Sequence, residues 1–313
     1  MNNFILKDKL NLKSIPRPSA AEFRPKRHEP CVFLGSIENP LARTLDFDNI
    51  KQRLPNLPIR LQKSLCSGDL EIHTTLHKFI DHITSTEDLK EAMVLDRKTG
   101  DTYFENFSYK DSLYCLRLNC CHNKDLIAHV TSPGFLGDWF DLYLPKFRSS
   151  VVYGKMHTWF FIGPKGTLSE LHSDHDEVHT TIQQSCGSKR FFTIKPSQQK
   201  ILERILGDHA LSSLRFEVSG DSIKVIDESR EPLEELKKID IYVHDLKAGE
   251  TIYLPAGTGH YAESLTNSIS ISRDFVDDRN IDNYLCSIIF ETGLANEAAR
   301  FGLPEGIDYE VIT

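Results

Sequence analysis

Between residues 150 and 276 the chain is cut into short apolar runs separated by turn residues. SVVYGKM, TWFFIG, VHTTIQQ, KRFFTI, IDIYVHDL, ETIYLP and SISISRDFV all fit β-strands. Gly163-Pro164-Lys165-Gly166 and Ser185-Cys186-Gly187-Ser188 are turns. Many short antiparallel strands pack as a sandwich or a jelly roll. The expected fold class is therefore mainly β, with the jelly roll over 150–276.

The remaining segments read as additions to that core. Residues 1–149 form an N-terminal α/β elaboration packed on the core. It begins as a proline-punctuated arm, with a short strand at CVFLGSI, residues 31–37. LEIHTTLHKFIDHI, residues 70–83, gains helical spacing near its end, and its His73, His77 and His82 suit a half-buried helix better than a metal site. Ser85-Thr86-Glu87-Asp88 has the pattern of a helix cap before LKEAMVL. Residues 101–120 are expected to add strands. Cys120-Cys121-His122 and the aromatic segment around Trp139 are read as structural. An insertion at about 197–240 holds a helix at QQKILERIL and a charged stretch from Glu231 to Lys238. Residues 277–313 are expected to close the chain with helices. Tyr284, Leu285, Ile288 and Ile289 give them an apolar face fit for a homodimer.

His172-Ser173-Asp174 carries the chemistry. On a strand, residues i and i+2 share a face, so the imidazole and the carboxylate can reach one ion. His260, 86 residues after Asp174 and just past the Pro-Ala-Gly-Thr-Gly turn, is the candidate third ligand. Two His and one Asp on one face of an ion make the facial triad of non-haem Fe(II) oxygenases. His175 and His179 follow in the same histidine-rich run and are assigned to the surroundings of the site or to no role. His157 and His244 are read as packing or surface residues.

TWFFIGPKGTLSELHSD, GSKRFF and GETIYLPAGTGHYAESL, in that order, resemble the JmjC/cupin-like Fe(II) and 2-oxoglutarate-dependent oxygenases, and most of all the factor-inhibiting-HIF type of hydroxylase. The resemblance covers about 150–276. It implies a double-stranded β-helix, with Fe(II), 2-oxoglutarate as co-substrate and O2. It also implies that Lys189 pairs with the distal carboxylate of 2-oxoglutarate, a role in which a cation offsets a buried anion. Ser169, three residues before His172, matches a hydroxyl that donates to the same carboxylate, with Thr167 as the alternative. Arg273, 13 residues after His260, is the runner-up to Lys189. The chain departs from the family at Ser173, where an aromatic is common, and at Thr258-Gly259, where Trp often precedes the distal His. The His172-to-Lys189 spacing is also two residues longer than in the family member compared.

Net charge and cysteine usage narrow the partners. A formal charge of −8 and a pI near 5.9 argue against nucleic acid held by general electrostatics. The first residues lack the apolar core of a signal peptide, and no run has the length of a membrane span. Seven cysteines without a CxxC spacing are read as reduced thiols in the cytoplasm. The expected substrate is a small molecule, an amino acid or a peptidyl side chain. Two other readings stay open: a metal-dependent cupin acting without 2-oxoglutarate as an isomerase or hydrolase, and an inactive binding module.

Overall fold

A computed structural model describes residues 13–14, 29–34, 45–63, 69–85, 87–119, 158–174, 177–206, 214–219, 222–226 and 239–292. In chain order its elements are β1 (Lys13–Ser14), β2 (Cys31–Leu34), α1 (Ile50–Arg53), β3 (Pro58–Lys63), β4 (Leu70–Thr75), α2 (Leu76–Ser85), β5 (Leu89–Asp96), β6 (Thr102–Phe107) and β7 (Leu113–Asn119). Then follow β8 (Thr158–Gly163), β9 (Leu168–His172), β10 (His179–Cys186), β11 (Ser188–Ile194), α3 (Pro196–Leu206), β12 (Arg215–Ser219) and β13 (Ser222–Ile226). The chain continues with β14 (Ile241–Lys247), β15 (Glu250–Leu254), β16 (Gly259–Ser264), β17 (Ser268–Phe275) and α4 (Ile281–Thr292).

The molecule is mainly β, built as a jelly roll. One sheet runs β1-β14-β11-β16-β9, and the other runs β2-β15-β10-β17-β8-β7-β3-β4-β5-β6. Strands distant in sequence lie side by side: β16 pairs with β9, and β17 with β8 and β10. This is how His260 comes to sit opposite His172. The sheets cross the expected boundary near residue 149, because β1 and β2 join β14 and β15 while β7 pairs with β8. The N-terminal segment thus covers edges that the jelly roll alone would leave unpaired.

Strand alternation sorts the side chains. Val32, Ile182, Phe191, Tyr242, Leu246, Ile252, Leu254 and Ala262 form an apolar cluster between the two sheets. Outside the first sheet, Leu171, Phe192, Ile194, Ile241 and Tyr261 pack with Leu202 of α3 and with Phe216 of the β12–β13 hairpin. Outside the second, Phe160, Ile162, Ile269 and Ile271 pack with Leu61, Ile72, Val94 and α2. The inserted helix and the N-terminal sheet therefore each cover one outer face.

The expected cap at 85–88 begins no helix. LKEAMVL lies in the strand β5, between β4 and β6, and Ser85 instead closes α2, with its hydroxyl donating to the Asp81 carbonyl. LKEAMVL is rich in good helix formers, but Leu89, Ala92 and Val94 are buried in the sheet, and that packing outweighs intrinsic propensity. On the expected dimer face, Tyr284 and Leu285 pack within the chain against Val178 and Val276. His157, Cys120-Cys121-His122, Trp139, His175, SVVYGKM before Thr158 and the stretch from Glu231 to Lys238 lie outside the described residues, as do the side chains of Ile288 and Ile289. Among the described residues no helix is long and apolar enough to cross a membrane.

Candidate metal centre

His172 ends β9, Asp174 follows it in the loop, and His260 is the second residue of β16. Among the described residues these three form the only grouping of His, Cys, Asp or Glu able to hold an ion, with ligand atoms within 4.8 Å of one another. The two rings tilt against each other at a centroid distance of 4.2 Å. His172 Nδ1 lies 2.6 Å from the Glu170 carbonyl, and His260 Nδ1 lies 3.1 Å from the Thr258 carbonyl. A carbonyl only accepts, so both Nδ1 atoms carry the proton and both Nε2 atoms present a lone pair. Those Nε2 atoms stand 3.8 and 3.9 Å from the same oxygen, Asp174 Oδ1.

That spacing is too long for hydrogen bonds. It suits atoms sharing an ion at bond lengths of about 2.1 Å. Two neutral imidazoles and one carboxylate on one side of an ion, with the other positions open, fit Fe(II). Thr180 Oγ1 lies 2.7 Å from Asp174 Oδ2 and 2.8 Å from Asp274 Oδ1. Its hydroxyl can hold Asp174 Oδ2 while Oδ1 faces the imidazoles. The His172 side chain is 38% exposed and that of His260 only 6%, so the centre opens toward solvent on the His172 side.

Lys189 is buried on β11, in register with Ser264 of β16, whereas Thr193 is in register with His260. Both therefore face inward with the centre, four residues apart, or roughly 13 Å along the strand. A lysine side chain and a five-carbon dicarboxylate together span that gap. Lys189 Nζ donates to Tyr114 Oη at 2.9 Å and lies 5.2 and 5.6 Å from the rings of Tyr114 and Phe161. Among the described residues no carboxylate pairs with it, so this buried ammonium is placed to receive an anionic ligand.

Ser169 reaches the same interior through an irregularity. Ala262 is in register with Ser169 and His260 with His172, so three residues of β9 match two of β16. This bulge puts Ser169 and His172 on one face although they are three apart. It sends Leu168 and Leu171 to the outer core. Ala262, small and opposite Ser169, leaves room between Lys189 and His260. Thr167 stands just before β9, and its hydroxyl lies 2.9 Å from both the Pro164 carbonyl and Ser264 Oγ, tying down the turn.

Arg273 does not join the group. It lies in register with Thr181 and Thr158 on β17, between Ser272 and Asp274, and alternation turns it to the outer face. Its neighbour Asp274 points inward to Thr180. The geometry brings in three residues that the sequence reading left out. Tyr114, Thr180 and Asp274 come from β7, β10 and β17, and only strand register assembles them.

His179 is buried on the outer side of β10, its ring tilted against those of Phe275 and Tyr253. Its Nδ1 accepts the Ala256 N–H at 2.9 Å, which leaves the Nε2 proton facing Asp277 Oδ1 at 3.5 Å. Arg279 also holds Asp277, with two contacts of 2.9 and 2.8 Å. Burial pushes the Asp277 carboxyl up, but its hydrogen bonds from His179 and Arg279 outweigh this and keep it well below the usual carboxylate range. His244 is paired too, 3.1 Å from the buried Glu250.

The fold and donor set together define a cupin-like jelly roll with a facial His/Asp/His centre. Residues 26–279 match the cupin-like domain, and the chain belongs to that family. It is similar to a 2-oxoglutarate and iron-dependent oxygenase, JMJD4, of Gallus gallus: 24% identical over 188 residues, 59% of this chain and 41% of that protein. It is similar to the arginine-specific demethylase JMJ20 of Arabidopsis thaliana at 23% over 167 residues, 50% of this chain and 34% of the relative. The lysine-specific demethylase JMJ30 of the same plant is 34% identical over 250 residues, 78% of this chain and 49% of the relative. The chain thus spans less than half the length of each of these curated relatives. The likeness to JmjC/cupin-like oxygenases expected from the motifs is borne out at the level of the family.

Proposed function

We propose that this protein is an Fe(II)- and 2-oxoglutarate-dependent dioxygenase that oxidises a C–H bond, most simply by hydroxylation. The observation that carries the reading is one inner face that brings together a candidate ion site and a buried lysine. At one level lie two Nε2 lone pairs and a carboxylate oxygen within reach of one ion. Deeper on the same inner face lies a buried ammonium with no carboxylate partner among the described residues. The names of the relatives add weight to this pairing of iron with 2-oxoglutarate.

In this reading His172, Asp174 and His260 hold the iron. Bound iron, with 2-oxoglutarate and O2, would supply the oxidising power, leaving succinate and CO2 as co-products. Lys189 binds the distal carboxylate of 2-oxoglutarate, Tyr114 holds the ammonium in place, and Ser169 donates from β9, on the far side of β16. Thr180 keeps the Asp174 carboxylate turned toward the imidazoles. Phe161, Phe191 and Ala262 line the space between the two ends and exclude water from it. The substrate approaches from the exposed His172 side. It is a small molecule, an amino acid or a peptidyl side chain. The cytoplasm suits the four free thiols Cys31, Cys115, Cys186 and Cys286 among the described residues.

The test is anaerobic addition of Fe(II) and 2-oxoglutarate to the apoprotein, followed by its visible spectrum. A metal-to-ligand charge-transfer band that disappears in His172→Ala and weakens in Lys189→Ala is the expected outcome. Metal binding without that band would instead favour a cupin that works without 2-oxoglutarate.

A further inference from the structure

We infer that α3, the helix inserted after β11, is a bracket for the metal centre, with Gln199 and Glu203 as positioning residues. This rests on the reading of His172, Asp174 and His260 as metal ligands. Pro196, Gln199, Lys200 and Glu203 recur at helical spacing on one face of α3. That face meets both ligand-bearing segments from behind. Ser173, between the two ligands of the first segment, donates to Glu203 Oε1 at 3.1 Å. Gln199 Nε2 donates to the same oxygen at 3.0 Å. Lys200 Nζ lies 3.7 Å from Glu177, just past Asp174, and Pro196 packs beside Gly257 in the turn before His260.

The contact with Gly259 is the most specific. Gln199 is fully buried, and among the described residues its Oε1 has no hydrogen-bond partner. That oxygen lies against Gly259, the residue before His260, where any Cβ would overlap it. A buried amide oxygen without a partner costs stability. Its place against a residue with no side chain gives it a steric purpose. Ser173 and Gly259 are the two positions where the sequence is slimmer than the family pattern, and α3 supplies the missing bulk from outside. One carboxylate and one amide thereby tie the His172–Asp174 segment to the His260 segment. Groups that orient first-contact ligands in this way tune metal affinity.

The experiment titrates Fe(II) into the apoprotein with saturating 2-oxoglutarate under anaerobic conditions, following the charge-transfer band, and records the apoprotein Tm. Gly259 lies outside the left-handed region, so Gly259→Ala adds a purely steric load. Gly259→Ala and Glu203→Ala should each weaken Fe(II) binding about tenfold or more. Gln199→Ala should also weaken Fe(II) binding, and adding Gly259→Ala to it should cost little more, because the overlap is gone. Glu203→Gln keeps the accepting oxygen and should bind Fe(II) like the wild type. If Gly259→Ala, Glu203→Ala and Gln199→Ala all bind Fe(II) like the wild type while their Tm values fall, α3 is mere packing and the inference is overturned. Losses that simply add in Gln199→Ala/Gly259→Ala overturn it as well. A wild type that retains no Fe(II), read by metal content after desalting, removes the triad reading and this inference with it.

Discussion

Two histidine–carboxylate clusters lie seven residues apart along the chain, and they are built to opposite ends. In the first, His172, Asp174 and His260 hold their donor atoms 3.8 and 3.9 Å apart, and each imidazole proton is committed to a backbone carbonyl on its far side. In the second, His179 accepts a backbone N–H, and the Asp277 it faces is clasped by Arg279. A guanidinium clasps the second carboxylate; the first turns one oxygen toward two imidazole Nε2 atoms. The difference teaches that a histidine beside an aspartate is read by what closes the pair. Where an arginine closes it, the cluster is a latch joining β10, the turn at Ala256 and the segment before α4. Where two imidazoles converge on one carboxylate oxygen at 3.8 and 3.9 Å, the cluster is a candidate ligand set.

The largest effect expected from this contrast is on the first cluster. His172→Ala or Asp174→Ala should abolish the anaerobic Fe(II)/2-oxoglutarate band and succinate formation, while the apoprotein Tm changes little because the site is half open. Next comes Lys189→Ala, which leaves the ion site intact but removes the buried partner of a carboxylate. Its 2-oxoglutarate Kd, titrated by the same band, should rise by about 30-fold or more, roughly 2 kcal/mol. The second cluster should behave in reverse. Asp277→Asn should lower stability at pH 7 by about 1–3 kcal/mol in denaturant unfolding, with Fe(II) affinity held near wild type. A folded-state pKa below the unfolded one adds stability above the unfolded value, and that stability is lost as pH falls. The gap between wild type and Asp277→Asn should therefore narrow below about pH 4. Loss of Fe(II) binding in Asp277→Asn without loss of stability would erase the distinction between the clusters. The smallest effect concerns Cys31, in the core with Phe33, Tyr253 and Phe275. Burial pushes its thiol up to about 12, as it does for Cys115, so thiol reagents should label both only after denaturation, read by mass spectrometry.

Much of the jelly roll was legible because period-two alternation and turn residues survive in single runs such as TWFFIG and KRFFTI. The candidate ligands were legible for the same local reason, since His-x-Asp is a two-residue pattern and the Pro-Ala-Gly turn marks the approach to His260. LKEAMVL was misread because its own preferences point to a helix, and only pairing with β4 and β6 makes it a strand. Arg273 and Asp274 are adjacent, and no local signal tells which one faces inward. The pairing of Thr180 with Asp274 settles it. Thr167 looked equivalent to Ser169 because both lie on one short stretch, but the bulge in β9 gives Ser169 the inward place beside His172.

The sequence by itself thus determined the strand-rich class, the three ligand candidates and the lysine to weigh beside them, since each is written in residue type and short spacing. Only the tertiary structure decided which hydroxyls and rings surround that lysine, which way Arg273 turns, and that a helix from the insertion stands behind both ligand segments. Those outcomes depend on register between strands distant in sequence, as with Thr180 and Asp274, 94 residues apart. Register is fixed by the packing of whole faces, so no local stretch of sequence contains it.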